Sequence, residues 1–541
     1  MTVPLTLLPA LCLFGGALLY LLPLRIVSRY RNLIPLVALA LSGAVLVLLA
    51  RSAGEPVVLF EPSAILPDLT LSLQWNGAAL PLGLLLLLMM AARLLMGIED
   101  DTRAFVVGAL AVSGGALLFL AADNFTTIAA AWILVELGLL VVPDSDFETH
   151  ARVTTAFGWN LVAVVLWMGA AMMLSNQGAL LRLQEVSLAD LPALLVWLAI
   201  WIRSGLYPAH AAAPGDVSGA AVRIGVPLLL GGYLLTRVLA ASQGPMAFAD
   251  GMQILAVLAV AFSAVMVVSQ PHGADAFLWL LRAFGAMLLL LPFLGSRQAM
   301  AALSVWLTVG AFTLCVWVEM AWSWRAQLPQ VPLTALVWIG VLVMAAAVPL
   351  APAFWGRVGL LSLGYERGLA WWLLLVAGAG LYLIPIWREI FASRDVAPKA
   401  PSRFEYAALA AGLLGALAIT IVPGFFMTPF GASVQQSADA TFNLLFKPIN
   451  PAVLTFAVAG LVVPMLFSFE LARRWAQRVS LFPTRLTTLL DLSGLANVLD
   501  FVYRFVRALI QQSLALLEQP PIAWLIFLAI WTAVWIIGLG R

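Results

Sequence analysis

Residues 197–214 read WLAIWIRSGLYPAHAAAP: an apolar helical run, then Arg203, then Pro208, His210 and Pro214. An ionisable side chain inside a membrane helix is costly and marks a functional site by default. Proline removes a backbone donor and frees a carbonyl one turn earlier, so an interrupted helix survives in lipid only where protein or water covers it. A second stretch has the same character. Residues 345–357 read AAAVPLAPAFWGR, with Pro349 and Pro352 just before Arg357. Counted along the apolar segments, the two stretches fall in the seventh and twelfth spans, five apart. An odd number of spans per unit forces two copies to insert in opposite senses, so the spacing predicts two inverted five-helix repeats meeting at broken helices.

The remainder of the 541 residues supports a chain that lives in the bilayer: 63% are hydrophobic and 10% charged, against roughly 25% charged in a soluble domain. The mean hydropathy is +1.04. This composition excludes an ordinary soluble enzyme. With 28 basic and 26 acidic residues the net charge is +2, which leaves no basic excess to hold a nucleic-acid backbone. Cys12 and Cys315 both lie in apolar runs and suggest neither a disulfide framework nor a thiolate metal site. Continuous apolar blocks, rather than alternation, predict an all-α polytopic protein. Spans are expected near 3–23, 32–50, 78–97, 104–122, 124–143, 151–174, 189–207, 221–241, 251–270, 275–296, 299–322, 331–353, 367–387, 404–424, 451–471 and 522–540, about sixteen in all. Little chain is left for a separate catalytic domain. The first segment lacks the basic start and small-residue cleavage site of a signal peptide.

Outside the spans, two short strands are expected between Val57 and Trp75, around Pro62 and Pro67. Residues 494–518 carry apolar positions at helical spacing, with Asp500, Arg504, Arg507, Gln511 and Gln512 on the other face, which predicts an amphipathic surface helix ended by Pro520. The basic loops around Arg25–Arg31, Arg394–Arg403 and Arg473–Arg485 fall on one side. The positive-inside rule places that side in the cytoplasm and both termini outside. The expected organisation is 1–103 (three helices and an external hairpin), 104–241 and 251–391 (the two repeats), 404–471 (two further helices), 494–518 and 522–540.

Ionisable residues in or beside the spans are the candidate site: Glu136, Arg203, Arg223, Arg282, Glu319 and Arg357, with His210 among the helix-breaking prolines. Arg223 and Arg357 lie near span ends, where snorkelling to the interface is the competing explanation.

At these residues the chain resembles the antiporter-like membrane subunits shared by respiratory complex I, multi-subunit sodium/proton antiporters and membrane-bound hydrogenases. Ala131–Leu137, AWILVEL, resembles that family's fifth-helix glutamate element with an offset tryptophan. Arg203, Pro208, His210 and Pro214 match its seventh-helix Lys, Pro-x-His and Pro, and Pro349, Phe354, Gly356 and Arg357 match its twelfth-helix element. The resemblance implies a core of about fourteen helices with two inverted repeats, a short lateral helix and a final span. It further implies a place among other membrane subunits and lipids in a complex I-type NADH:quinone oxidoreductase of a bacterial cytoplasmic membrane. There the chain takes part in proton translocation while other subunits carry the redox chemistry, and it holds no cofactor of its own. The proton pathway so implied runs through Glu136, Arg203, His210, Arg223, Arg282, Glu319 and Arg357, with helix breaks at Pro208, Pro214, Pro349 and Pro352.

Both central lysines of that pattern are arginine here. Neutralising a lysine of reference pKa about 10.4 at pH 7 costs roughly 4.6 kcal/mol, within what burial can supply; for arginine the cost is roughly 7.5 to 9 kcal/mol. Arginine cannot relay a proton by losing its own. Three readings therefore stand: a conducting subunit with Glu136, His210 and water moving protons past fixed arginine charges; a non-conducting structural spacer of such a complex; and an independent cation/proton transporter.

Overall fold

The computed structural model describes residues 5–21, 33–50, 57–60, 70–75, 79–97, 101–142, 147–174, 190–206, 219–241, 250–270, 274–294, 297–324 and 352–391, with a few isolated positions besides. Pro208, His210, Pro214 and Pro349, most of the span expected near 331–353, the three spans expected after residue 400 and the 494–518 helix lie outside the described residues. Contacts divide the chain into Met1–Thr487 and Thr488–Arg541, and the described elements all belong to the first unit.

The chain is an all-α integral membrane protein, and its described residues are helical apart from one strand pair. Its elements run α1 (Leu8–Leu21), α2 (Leu33–Ala50), β1 (Val57–Phe60), β2 (Leu71–Leu73), α3 (Ala79–Met96), α4 (Arg103–Ala121), α5 (Phe125–Val141), α6 (Phe147–Leu174) and α7 (Asp190–Arg203). A π-helical turn, Ala221–Gly225, leads into α8 (Val226–Ala241). After it come α9 (Asp250–Ser269), α10 (Ala274–Ala286, continued by a 3-10 stretch Met287–Phe293), α11 (Arg297–Trp324), α12 (Pro352–Arg367), α13 (Leu369–Leu381) and α14 (Ile384–Phe391). Among the described residues seven helices are long and apolar enough to cross a membrane, and α1, α2 and α5 are shorter apolar helices.

Local chemistry explains the corners. Thr102 caps α4 by accepting from the Phe105 N–H at 3.2 Å, and Asn124 caps α5 by accepting from the Thr127 N–H at 2.8 Å. Between these helices the Asp123 N–H donates to the Ser72 carbonyl at 3.1 Å, and the Asn124 amide donates to the Thr70 carbonyl at 2.8 Å, tying β2 to the corner. β1 and β2 pair antiparallel, Val57 opposite Leu73, where the sequence predicts two strands. Arg237 of α8 reaches the same corner, donating to the Asp123 carbonyl at 3.2 Å. It is a second donor to that carbonyl, which also accepts from the Leu183 N–H at 3.4 Å.

Small residues let the helices close on one another. A Cβ on Gly115 of α4 would meet the backbone nitrogen of Val135 at 3.0 Å, and one on Gly138 of α5 would meet that of Val112 at 2.9 Å. These two glycines therefore set how closely α4 and α5 approach. At the centre, α11 packs against α3, α8, α12 and the π-turn, so a polar side chain on α11 reaches several elements at once.

Two helix ends differ from the sequence expectation. The spacing predicts a seventh span that runs to 207 and breaks at Pro208, yet α7 ends at Arg203. Gly205 adopts φ +61°, the left-handed conformation that terminates a helix, and its N–H returns to the Ile202 carbonyl at 2.9 Å. The sequence also predicts a twelfth span that stops at 353 with Arg357 beyond it, but Pro352 is the first residue of a helix that contains Arg357. At a first helical position the missing proline N–H costs nothing, so Pro352 starts a helix.

Candidate functional site

Trp132 and Glu136 lie four residues apart on α5 and so share one face. The opposite positions, Ile133, Leu134 and Leu137, are exposed. Glu136 is 3% exposed and faces Arg203, which is fully buried at the last position of α7. The Arg203 Nη1 donates to Glu136 Oε1, forming a buried ion pair. Trp132 supports the cation from the side, its ring centroid 5.3 Å from the guanidinium carbon. The C-terminal end of a helix also favours a positive charge. The early stop at Gly205 thus places Arg203 at a helix end opposite a carboxylate.

The pair borders a cavity of about 60 Å³ shared by α5, α6, α7 and the π-turn, which is space for two waters or more at roughly 30 Å³ each. Its polar lining is Glu136, Asn160, Arg203, Ser204 and Arg223. Arg203 Nε and Nη2 and Asn160 Oδ1 are buried with no hydrogen-bond partner among the described residues. Buried donors and acceptors left over in this way are where ordered water belongs.

Glu319 lies elsewhere than a simple extension of this cavity. It is fully buried on α11, accepts from Arg93 Nε of α3, and accepts from the backbone N–H groups of Gly219 at 2.6 Å and Ala221 at 2.8 Å. Arg93 is in turn gripped by Asp101, at 2.8 and 3.0 Å through both terminal nitrogens. Phe105 stacks 4.4 Å from the Arg93 guanidinium.

Arg282 of α10 and Arg357 of α12 are not among the described residues lining the cavity. Arg282 lies 5.0 Å from the Trp279 ring centroid. Arg357 is 1% exposed, so it does not snorkel to a surface, and none of its three guanidinium nitrogens has a hydrogen-bond partner among the described residues. Its neighbour Tyr382 donates its hydroxyl to the Ala345 carbonyl at 2.7 Å. A side chain just past the C-terminal end of α13 thus supplies a donor to a backbone carbonyl 37 residues earlier in the chain.

Sequence reasoning brings Glu136, Arg203 and Arg223 forward, and they share one cavity. It misses Arg93, Asp101, Asn160 and Tyr382. Arg93 lies within the expected third span and meets the criterion of an ionisable residue in a membrane helix. Asn160 is likewise a polar residue in an apolar run. Asp101 sits in a loop with other acids, and nothing in the sequence separates it from a solvated position.

No family profile and no curated protein sequence matches this chain. Solved structures do. A chain of the Mrp complex from Dietzia sp. superposes with a TM-score of 0.70 at 15% identity, over 99% of this chain and 63% of that one. The present chain thus spans less than two thirds of the Dietzia chain. A chain of respiratory complex I from Thermus thermophilus gives 0.62 at 17% identity, over 81% of this chain and 99% of that one. A chain of an archaeal membrane-bound sulfane sulfur reductase gives 0.63 at 14% identity, over 99% and 100%. At these identities the likeness is one of fold: the chain has the fold of chains found in an Mrp complex, a respiratory complex I and an archaeal respiratory membrane complex.

Proposed function

We propose that this chain is an antiporter-like membrane-arm subunit of a complex I-type assembly, in which it takes part in proton translocation driven by redox chemistry in other subunits. The observation that carries the reading is the Glu136–Arg203 ion pair bordering a polar cavity at the end of α7. Glu136 is the group that changes protonation. Arg203 stays charged because a guanidinium holds its proton far too tightly to release it near neutrality. When Glu136 takes up a proton, Arg203 is left as an uncompensated buried cation and turns toward another partner. When Glu136 ionises, the pair re-forms. Arg223 lines the same cavity and brings a second positive charge to it. The family resemblance adds His210 and Arg282 to the same proton path and makes Arg357 the fixed charge of the second repeat. Both termini lie outside a bacterial cytoplasmic membrane, and the partners are other membrane subunits and lipid.

The test is Glu136→Gln in the native assembly reconstituted into vesicles. Proton uptake driven by the redox reaction is expected to fall by at least about tenfold at the step this subunit carries, because one titrating group is removed outright. Normal assembly with unchanged uptake would contradict it.

A second reading, the non-conducting spacer, is favoured by one specific observation: arginine stands at both positions 203 and 357. Under it Glu136→Gln leaves uptake as it was and lowers only the stability of the subunit. A stand-alone cation/proton transporter would be active when purified without partner chains, and isolation only within a complex removes that third possibility.

A further inference from the structure

The π-turn Ala221–Gly225 carries Arg223 into the cavity; its Val222 and Arg223 N–H groups both bond the Gly219 carbonyl, at 3.1 and 2.9 Å, while the Gly219 and Ala221 N–H groups point away to a side chain, as the free donors of a helix start do. In a membrane interior such donors need an acceptor from elsewhere. The Glu319 carboxylate provides it with both oxygens, one to the Gly219 N–H at 2.6 Å and the other to the Ala221 N–H at 2.8 Å. Gly219 has φ +83°, which an L side chain rarely adopts, and this conformation turns its N–H toward α11. A Cβ there would meet Phe105 at 3.2 Å and the Arg223 Nε at 3.8 Å, so the Arg223 side chain runs directly over Gly219. Glu319, Gly219 and Arg223 are one packed unit. Arg93, fixed by the two bonds it donates to Asp101, fastens the carboxylate from the other side.

We infer that Glu319 is a positioning residue: its carboxylate, held by Arg93, clamps the Gly219–Gly225 turn so that Arg223 projects into the Glu136–Arg203 cavity. This assigns Glu319 a role different from that of a proton carrier, and rests on the reading of that cavity as the reacting centre. Four partners already occupy the carboxylate or its clamp: the Gly219 and Ala221 N–H groups, Arg93 and, behind it, Asp101. A carboxylate committed to two backbone donors and a guanidinium is well placed to fix a turn. Through this one side chain, α11 and α3 both act on the cavity.

The test reads the charge in the cavity without measuring transport. Leu139 lines the cavity, and a Leu139→Cys variant of the full chain, in a Cys12→Ser background and in lipid nanodiscs, is labelled with an anionic and a cationic methanethiosulfonate of similar size. A nearby arginine favours the anionic reagent, and removing it by Arg223→Gln lowers the anionic-to-cationic rate ratio by about tenfold. Glu319→Gln is expected to lower the ratio to a similar extent, and the double variant no further. Where Glu319→Gln fails to fold, Gly219→Ala serves, because it disturbs the clamped turn while leaving every charge in place; the same loss is expected. A ratio unchanged by Glu319→Gln or Gly219→Ala while Arg223→Gln lowers it, or losses that add in the double variant, would overturn the assignment. Because proton uptake plays no part in this readout, a failure of the clamp and a failure of the translocation reading are seen separately.

Discussion

Arg203→Met is expected to lower the stability of the folded chain by about 3 to 5 kcal/mol, the cost of leaving a buried carboxylate without its cation. Both partners of this pair are out of water, Arg203 at 0% exposure and Glu136 at 3%, and the guanidinium also loses its contact with the Trp132 face. Combining Arg203→Met with Glu136→Leu removes both charges together. The double variant is expected to recover most of the loss, since replacing a buried pair by apolar groups of similar size is often neutral. Equilibrium unfolding in mixed micelles, carried through the full double-mutant cycle, checks this. Additive losses would mean that the two side chains do not depend on one another.

The second large effect concerns which group titrates. At a fixed pH near neutrality, Arg203→Lys raises the neutral fraction of the residue at this position by about two to three orders of magnitude, from the difference in reference pKa alone. If arginine is a fixed charge, the wild-type uptake rate has no limb set by position 203. The Arg203→Lys variant acquires an alkaline limb, because deprotonating the substituted lysine removes the partner that holds Glu136 ionised. Uptake measured across pH in the reconstituted assembly checks it. Superimposable profiles for wild type and Arg203→Lys would show that position 203 does not act on the rate. Arg357→Lys, at another buried arginine, in α12, is the control.

The helices are legible in the sequence because each apolar block satisfies its own backbone and needs no distant partner to form. The charges in α5 and α7 are legible for the opposite reason: Glu136 and Arg203 are unfavourable where they stand unless something pairs them. Contact across the fold is what escapes. The Glu319 carboxylate reads as an isolated acid in α11, and only the packing of α11 against α3 and the π-turn reveals Arg93, Gly219 and Ala221 as its partners. Tyr382 escapes in the same way, since it lies 37 residues from the Ala345 carbonyl it satisfies. The end of α7 is misplaced when prolines alone are given weight. A glycine that adopts a positive φ ends a helix as firmly, and Gly205 comes before Pro208.

If Glu136 changes protonation against a permanently charged Arg203, infrared difference spectroscopy of the native assembly shows it most directly, by comparing the resting state with the state driven by electron transfer. A protonated-carboxyl band is expected to rise and decay with turnover and to vanish in Glu136→Gln, while Arg203→Lys retains it. A turnover-linked carboxyl band that persists in Glu136→Gln, or an assembly that turns over with none, would contradict proton exchange at Glu136.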